Sequence, residues 1–137
     1  MMRNLLMLVL FICSSGAFAG EFIVILNKGS SIATVSSIEL KRLYTGKITE
    51  ISGKSVAAVN LALDNPAAIA FVKANLGMTI PEYKSFWLGE QVRGGGSPPS
   101  VQKTPEAMIA WVTQNSGAIG YVPAGTVVDA VKSIEVK

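Results

Sequence analysis

The sequence predicts an α/β fold, a mostly parallel sheet with helices on both faces, and three observations carry that expectation. Continuous apolar runs rich in β-branched residues alternate with stretches of helical period. The helical stretches open on capping side chains and prolines. Half of the 137 residues are hydrophobic and only 15% are charged, which is the balance of a heavily buried domain and not of a disordered chain. The length suits one domain, and the sequence contains no internal repeat, low-complexity tract or second domain. The element order reads strand, helix, strand, three helices, strand, strand, which right-handed crossovers arrange as a sheet covered by helices.

Phe22-Ile23-Val24-Ile25-Leu26 is an uninterrupted apolar run, the pattern of a strand covered on both faces, and predicts a central parallel strand. Asn27-Lys28-Gly29-Ser30-Ser31 supplies turn chemistry. Ser36, with Glu39 three residues later, forms a capping box for a helix through about Tyr44, buried along Leu40, Leu43 and Tyr44 and ended by Gly46. A second strand, Val56 to Leu61, comes after the Ser52-Gly53-Lys54 turn. Asn65-Pro66 then starts a helix that runs to about Leu76 and stops before Gly77, with Ile69, Phe71, Val72 and Leu76 as its apolar surface. Pro81 starts another helix, with Tyr83, Phe86 and Trp87 on its core face, and Thr104-Pro105 a third, carrying Met108, Ile109, Trp111 and Val112. Both tryptophans are expected in the core. Gly117 to Val122 reads as a strand with a glycine where another backbone comes close, and Ile134 and Val136 alternate with polar residues as in a final edge strand.

Residues 1–19 have the form of a secretory signal. Arg3 precedes a short apolar run, and Ala17-Phe18-Ala19 offers the small side chains of a cleavage site. The run is well short of the roughly 20 residues of a membrane-spanning helix, so residues 20–137 are expected as an exported, periplasmic domain without a stable membrane anchor, cleaved after Ala19. Cleavage removes Cys13, the single cysteine, and Arg3, lowering the formal charge of +3 by one. No thiol would remain for a disulfide or a cysteine nucleophile.

The chain contains no histidine, which excludes Ser-His-Asp and Cys-His catalytic units, a histidine-containing zinc site and an imidazole proton shuttle. Asp64 and Asp129 are the only aspartates, and no acids stand at metal-ligand or acid/base spacing. Gly94-Gly95-Gly96 lacks the Lys-Ser/Thr ending of a phosphate-binding loop. Without clustered Lys and Arg there is no electrostatic footprint for nucleic acid. The expectation is a protein that is not an enzyme and holds no metal or cofactor.

In open α/β sheets the ligand crevice lies beyond the carboxyl ends of the parallel strands. That rule selects Asn27 to Ser31 and Ala62 to Pro66, and the flexible Arg93 to Pro99 loop is a third candidate. Hydroxyls, amides and a cation in such loops suit a small oxyanion. The candidate ligands are Ser30, Ser31, Asn65, Arg93 and Ser97.

Leu40-Lys41-Arg42-Leu43-Tyr44-Thr45-Gly46-Lys47-Ile48 and Gly117-Ala118-Ile119-Gly120-Tyr121-Val122 resemble two segments of the phosphate-binding proteins of ABC phosphate transporters, and the order of elements between them is similar. The resemblance spans roughly Phe22 to Pro123. It implies the type II periplasmic-binding fold, in which two α/β lobes close over phosphate and present it to a membrane permease. This chain is long enough for a single three-layer lobe. The resemblance also implies a ligand segment after the second strand, approximately Arg-Ser-x-x-Ser-Gly-Thr in the family. Here that stretch is Leu61-Ala62-Leu63-Asp64-Asn65-Pro66-Ala67, with no arginine or hydroxyl, a proline without an amide hydrogen, and a carboxylate where an anion would sit.

Two functions are consistent with these features. The first is a solute-binding-type domain that takes phosphate or another small oxyanion, with an ABC permease or other envelope protein as partner. The alternative is a degenerate lobe that binds no solute and serves as an interaction or sensory-accessory module at the cell envelope.

Overall fold

The computed structural model describes residues 21–137, so the expected signal and its cleavage site lie outside the described residues. The Phe22 to Leu26 run forms β1 (Phe22–Leu26), and its last three residues are buried, as a run without polar positions requires. It lies between β7 (Ala118–Pro123) and β8 (Lys132–Val136) in a six-stranded sheet. Beyond β7 come β5 (Ala57–Leu61) and β6 (Ser100–Gln102); beyond β8 comes β2 (Thr34–Val35). β5 is parallel to both β6 and β7, and β2 is parallel to β8. β1 is antiparallel to both of its neighbours. The sheet is therefore mostly parallel, as expected, with β1 alone reversed.

That reversal corrects the expectation of a central parallel strand. β1 is central, but its direction is opposite, because a strand covered on both faces shows the same apolar run whichever way its neighbours point. β8 is also not an edge: Thr34 pairs with Glu135 and Val35 with Val136 on its outer side. A two-residue strand is too short to show a period. A small hairpin, β3 (Glu50–Ile51) with β4 (Lys54–Ser55), stands apart from the main sheet.

Helices cover both faces. Successive strand residues point to opposite sides, and in β7 Tyr121 stacks on Phe71 at 3.9 Å and 7°, while a Cβ on Gly120 would lie 2.5 Å from Met108 Sδ on the other side. The glycine thus admits a buried side chain, where a neighbouring backbone was expected. Met108 belongs to α4 (Pro105–Gln114) and Phe71 to α2 (Pro66–Phe71). On the α2 side also lie α1 (Ser37–Tyr44) and α3 (Ile80–Val92).

The helix starts match the sequence closely. Ser36 Oγ accepts from the Glu39 amide and Glu39 Oε1 from the Ser36 amide, both at 3.0 Å, so the capping box is complete. Asn65 Oδ1 accepts from the Ala67 amide at 2.9 Å, and α2 continues as a π-helical turn, Val72–Leu76, to a left-handed Gly77 (φ 68). Thr79 and Thr104 cap α3 and α4. Two apolar residues depart from expectation: Ile69 is half exposed, and Trp111 is 38% exposed and not a core residue. Among the described residues no helix is long and apolar enough to cross a membrane.

Buried polar groups tie these layers together. The Tyr44 hydroxyl reaches the carbonyls of Val59 (2.8 Å) and Ile119 (3.2 Å), bridging α1 to β5 and β7. The Tyr44 carbonyl accepts from the Tyr83 hydroxyl (2.9 Å) and from Trp87 Nε1 (3.2 Å), holding α3 against the end of α1. The Trp87 indole also lies against Gly46, whose φ of 76 and missing Cβ leave room for it; a Cβ there would be 2.8 Å from Cη2. Asn60 completes the set: its Nδ2 donates to the Tyr83 hydroxyl (3.1 Å), and its Oδ1 accepts from the Tyr121 hydroxyl (2.8 Å).

Candidate functional site

The reversal of β1 decides which loops meet. Leu26 lies opposite Ile119, and Ala57 opposite Ala118, so the carboxyl end of β1 adjoins the amino ends of β5 and β7. Asn27 to Ser31 therefore sits on one rim of the sheet and Ala62 to Pro66 on the other. The separation is the five-residue length of β5, roughly 15 Å. The expectation that these loops share a rim is overturned.

On the first rim, Gly29, Ser30 and Ser31 face Lys54 and Ser55 of the hairpin and Ser116 and Gly117 before β7, around a cavity of about 260 Å3. The turn is held from within. Asn27 Oδ1 accepts from the Gly29 amide and the Asn27 carbonyl from the Ser30 amide, each at 2.9 Å. Ser30 Oγ accepts from the Ile32 amide at 3.2 Å. Those three amides are engaged in the turn and are not donors for a ligand, contrary to the sequence expectation for the amides around Gly29.

Two further side chains fix the turn from outside. Asn27 Nδ2 donates to the carbonyls of Val112 (2.9 Å) and Thr113 (3.1 Å) near the end of α4. Lys132 Nζ donates to the carbonyls of Ser30 (3.1 Å) and Ile32 (2.6 Å), which sets an ammonium directly behind the turn. Among the described residues, the hydroxyls of Ser31, Ser55 and Ser116 and the Lys54 ammonium make no intramolecular hydrogen bond, and no carboxylate lines the cavity. Its polar groups are hydroxyls and one cation, which can hydrogen-bond and charge-pair with a small anion.

The other candidate residues lie elsewhere. Asn65, on the opposite rim, uses its side-chain oxygen to cap α2, and Pro66 comes next without an amide hydrogen. Arg93, at the end of α3, is solvent-exposed and pairs with Glu90. Ser97 lines a smaller cavity of about 180 Å3 with Gly46, Ile48, Thr49 and Trp87, which touches the first one only through Val56. Of the five expected ligands the structure brings together only Ser30 and Ser31. Lys54, Ser55 and Ser116 were missed by the sequence reading, because they lie at the amino ends of β5 and β7 and the crevice rule considers only the loops at the strands' carboxyl ends. Among the described residues no group of three or more His, Cys, Asp or Glu is placed to hold a metal ion.

No family model matches the chain, and no curated protein matches it in sequence. Solved structures do match in fold. An ABC-type phosphate transport receptor from Vibrio cholerae superposes with a TM-score of 0.64 at 18% identity, over 87% of this chain and 48% of that one. A chain described as a phosphate ABC transporter substrate-binding protein with bound phosphate, from Clostridium perfringens, gives 0.66 at 20% identity, over 85% and 44%. PstS from Borrelia burgdorferi gives 0.57 at 13% identity, over 85% and 47%. The chain thus shares the fold of part of these proteins and spans less than half the length of each.

Proposed function

We propose that this chain is an exported, non-enzymatic solute-binding-type domain that takes a small oxyanion, phosphate first among the candidates, in the Ser30-Ser31-Lys54 cavity. The observation that carries the reading is the cavity's composition: four serines and a lysine surround it, with no carboxylate among the lining residues. The fold shared with phosphate receptors supports the ligand class. The form of residues 1–19 supports export to the periplasm. A permease or another envelope protein would supply the surface that closes the open side of the cavity.

Calorimetric titration with phosphate tests this reading. Saturable binding is expected, weakened about tenfold in Lys54→Met, the loss of one charge-assisted hydrogen bond at an exposed position. Arg93→Ala is expected to leave the affinity unchanged, because Arg93 is engaged with Glu90 away from the cavity. No heat and no thermal stabilisation with millimolar phosphate or sulfate would overturn the oxyanion reading.

A second reading, an envelope interaction module that binds no solute, is favoured by the opposite rim. There Asn65 is already engaged, Pro66 has no amide hydrogen, and exposed Asp64 puts a negative charge beside the start of α2. Absence of anion binding in the titration would decide for it.

A further inference from the structure

A second cavity, of about 360 Å3, opens between α3 and the free edge of the sheet at β6. Its walls are apolar: Leu63, Trp87, Leu88, Pro98, Pro99 and Val101. Leu88 is 64% and Val101 50% exposed, so apolar surface stands open to water here and gains from being covered. Asn60 and Tyr83 form the floor, but their polar atoms are taken. Asn60 bonds to Tyr83 and Tyr121, and the Tyr83 hydroxyl donates to the Tyr44 carbonyl. A ligand's polar atoms gain little at the floor and belong at the lip.

The lip is chemically asymmetric. Lys84, Leu88 and Gln91 recur along α3 at the spacing of one helical face, and all three line the cavity. Lys84 is its only charged group, exposed and with no carboxylate partner among the described residues. The complement of this surface is an apolar body carrying a single negative end.

We propose that this cavity binds a small amphipathic monocarboxylate, its hydrocarbon ring or chain lying on Trp87, Leu88 and Val101 and its carboxylate paired with Lys84. The site shares no lining residue with the Ser30-Ser31-Lys54 cavity and does not depend on the oxyanion reading.

Trp87 is a built-in reporter. In a Trp111→Phe variant it is the sole tryptophan of the chain, and Trp111 is partly exposed, so its replacement spares the core. Titration with cyclohexanecarboxylate is expected to give a saturable change in Trp87 emission, with a dissociation constant on the order of 1 mM for so small a molecule. Lys84→Met should weaken cyclohexanecarboxylate at least fivefold and leave the neutral cyclohexylmethanol unchanged. Leu88→Asp, an exposed substitution, should weaken both. A response that does not saturate, or equal affinity of Lys84→Met for the carboxylate, overturns the proposal. So does a concentration-dependent dimer in sedimentation that Leu88→Asp dissociates, which would assign the surface to a second copy of the chain.

Discussion

Asn60→Ala is expected to cost about 3 kcal/mol and lower the melting temperature by on the order of 10 °C, among the largest effects of any single polar substitution in this protein. Asn60 is 2% exposed on β5, beside the edge strand β6, and is the link between two buried tyrosines. Removing it leaves the Tyr121 hydroxyl without its side-chain acceptor, and an unsatisfied buried donor costs the full desolvation of that group, about 1–3 kcal/mol. The space vacated by the amide adds a further contribution. The coupling is testable: if the stranded hydroxyl is the main loss, Asn60→Ala made on a Tyr121→Phe background should cost markedly less than on the native chain. Thermal unfolding of the two single variants and the double variant measures this, and simple additivity would contradict it.

Raising the pH should unfold the protein cooperatively between about pH 11 and 12. The sequence holds three tyrosines, and all three, Tyr44, Tyr83 and Tyr121, are buried. Burial raises each hydroxyl above its ordinary value, strongly for Tyr44 and Tyr121, with neighbouring tyrosines adding to the rise at both. A group whose pKa is higher in the fold than in the unfolded chain stabilises the fold fully below the unfolded value. That stability is lost as pH climbs from about 10 toward the raised values. Each tyrosine kept protonated in the fold costs about 1.4 kcal/mol per pH unit in this window. Tyr44 and Tyr121, both strongly raised, carry most of this loss, and Tyr83 adds to it, so that near pH 12 the sum reaches the low end of a domain's whole stability. Absorbance at 295 nm should stay flat until the far-ultraviolet circular dichroism collapses, then rise for all three at once. Stepwise tyrosinate formation in the folded protein would show that the network is open to water.

What the sequence makes legible here is local chemistry. The Ser36 and Glu39 capping box, Asn65 before Pro66, Thr104 before Pro105 and the left-handed Gly77 each act within a few residues, and each element boundary they predict is observed. The long strands β1, β5 and β7 are equally plain as apolar runs. β2, β3 and β6 have two or three residues, below the length at which a period exists; β2 and β6 form on the edges of the longer β8 and β5, and β3 pairs only with the equally short β4. Strand direction is a tertiary property, and the reversal of β1 moves Ser30 and Ser31 to the rim opposite Asn65. Trp111 lies on the apolar stripe of α4 yet is partly exposed, because the sheet covers only the Met108 and Val112 side of that helix. Lys54, Ser55 and Ser116 enter the cavity through distant pairing, since Ala57 bonds through its amide to the Gly117 carbonyl, and no local pattern marks that.

Amide chemical shifts recorded during a phosphate titration show, residue by residue, which rim of the sheet meets the anion. Saturable shifts gathered at Ser31, Ser55, Ser116 and Gly117, with Ala62 to Ala67 unmoved, are the predicted result. Shifts gathered at Ala62 to Ala67, or none anywhere at millimolar phosphate, would contradict it.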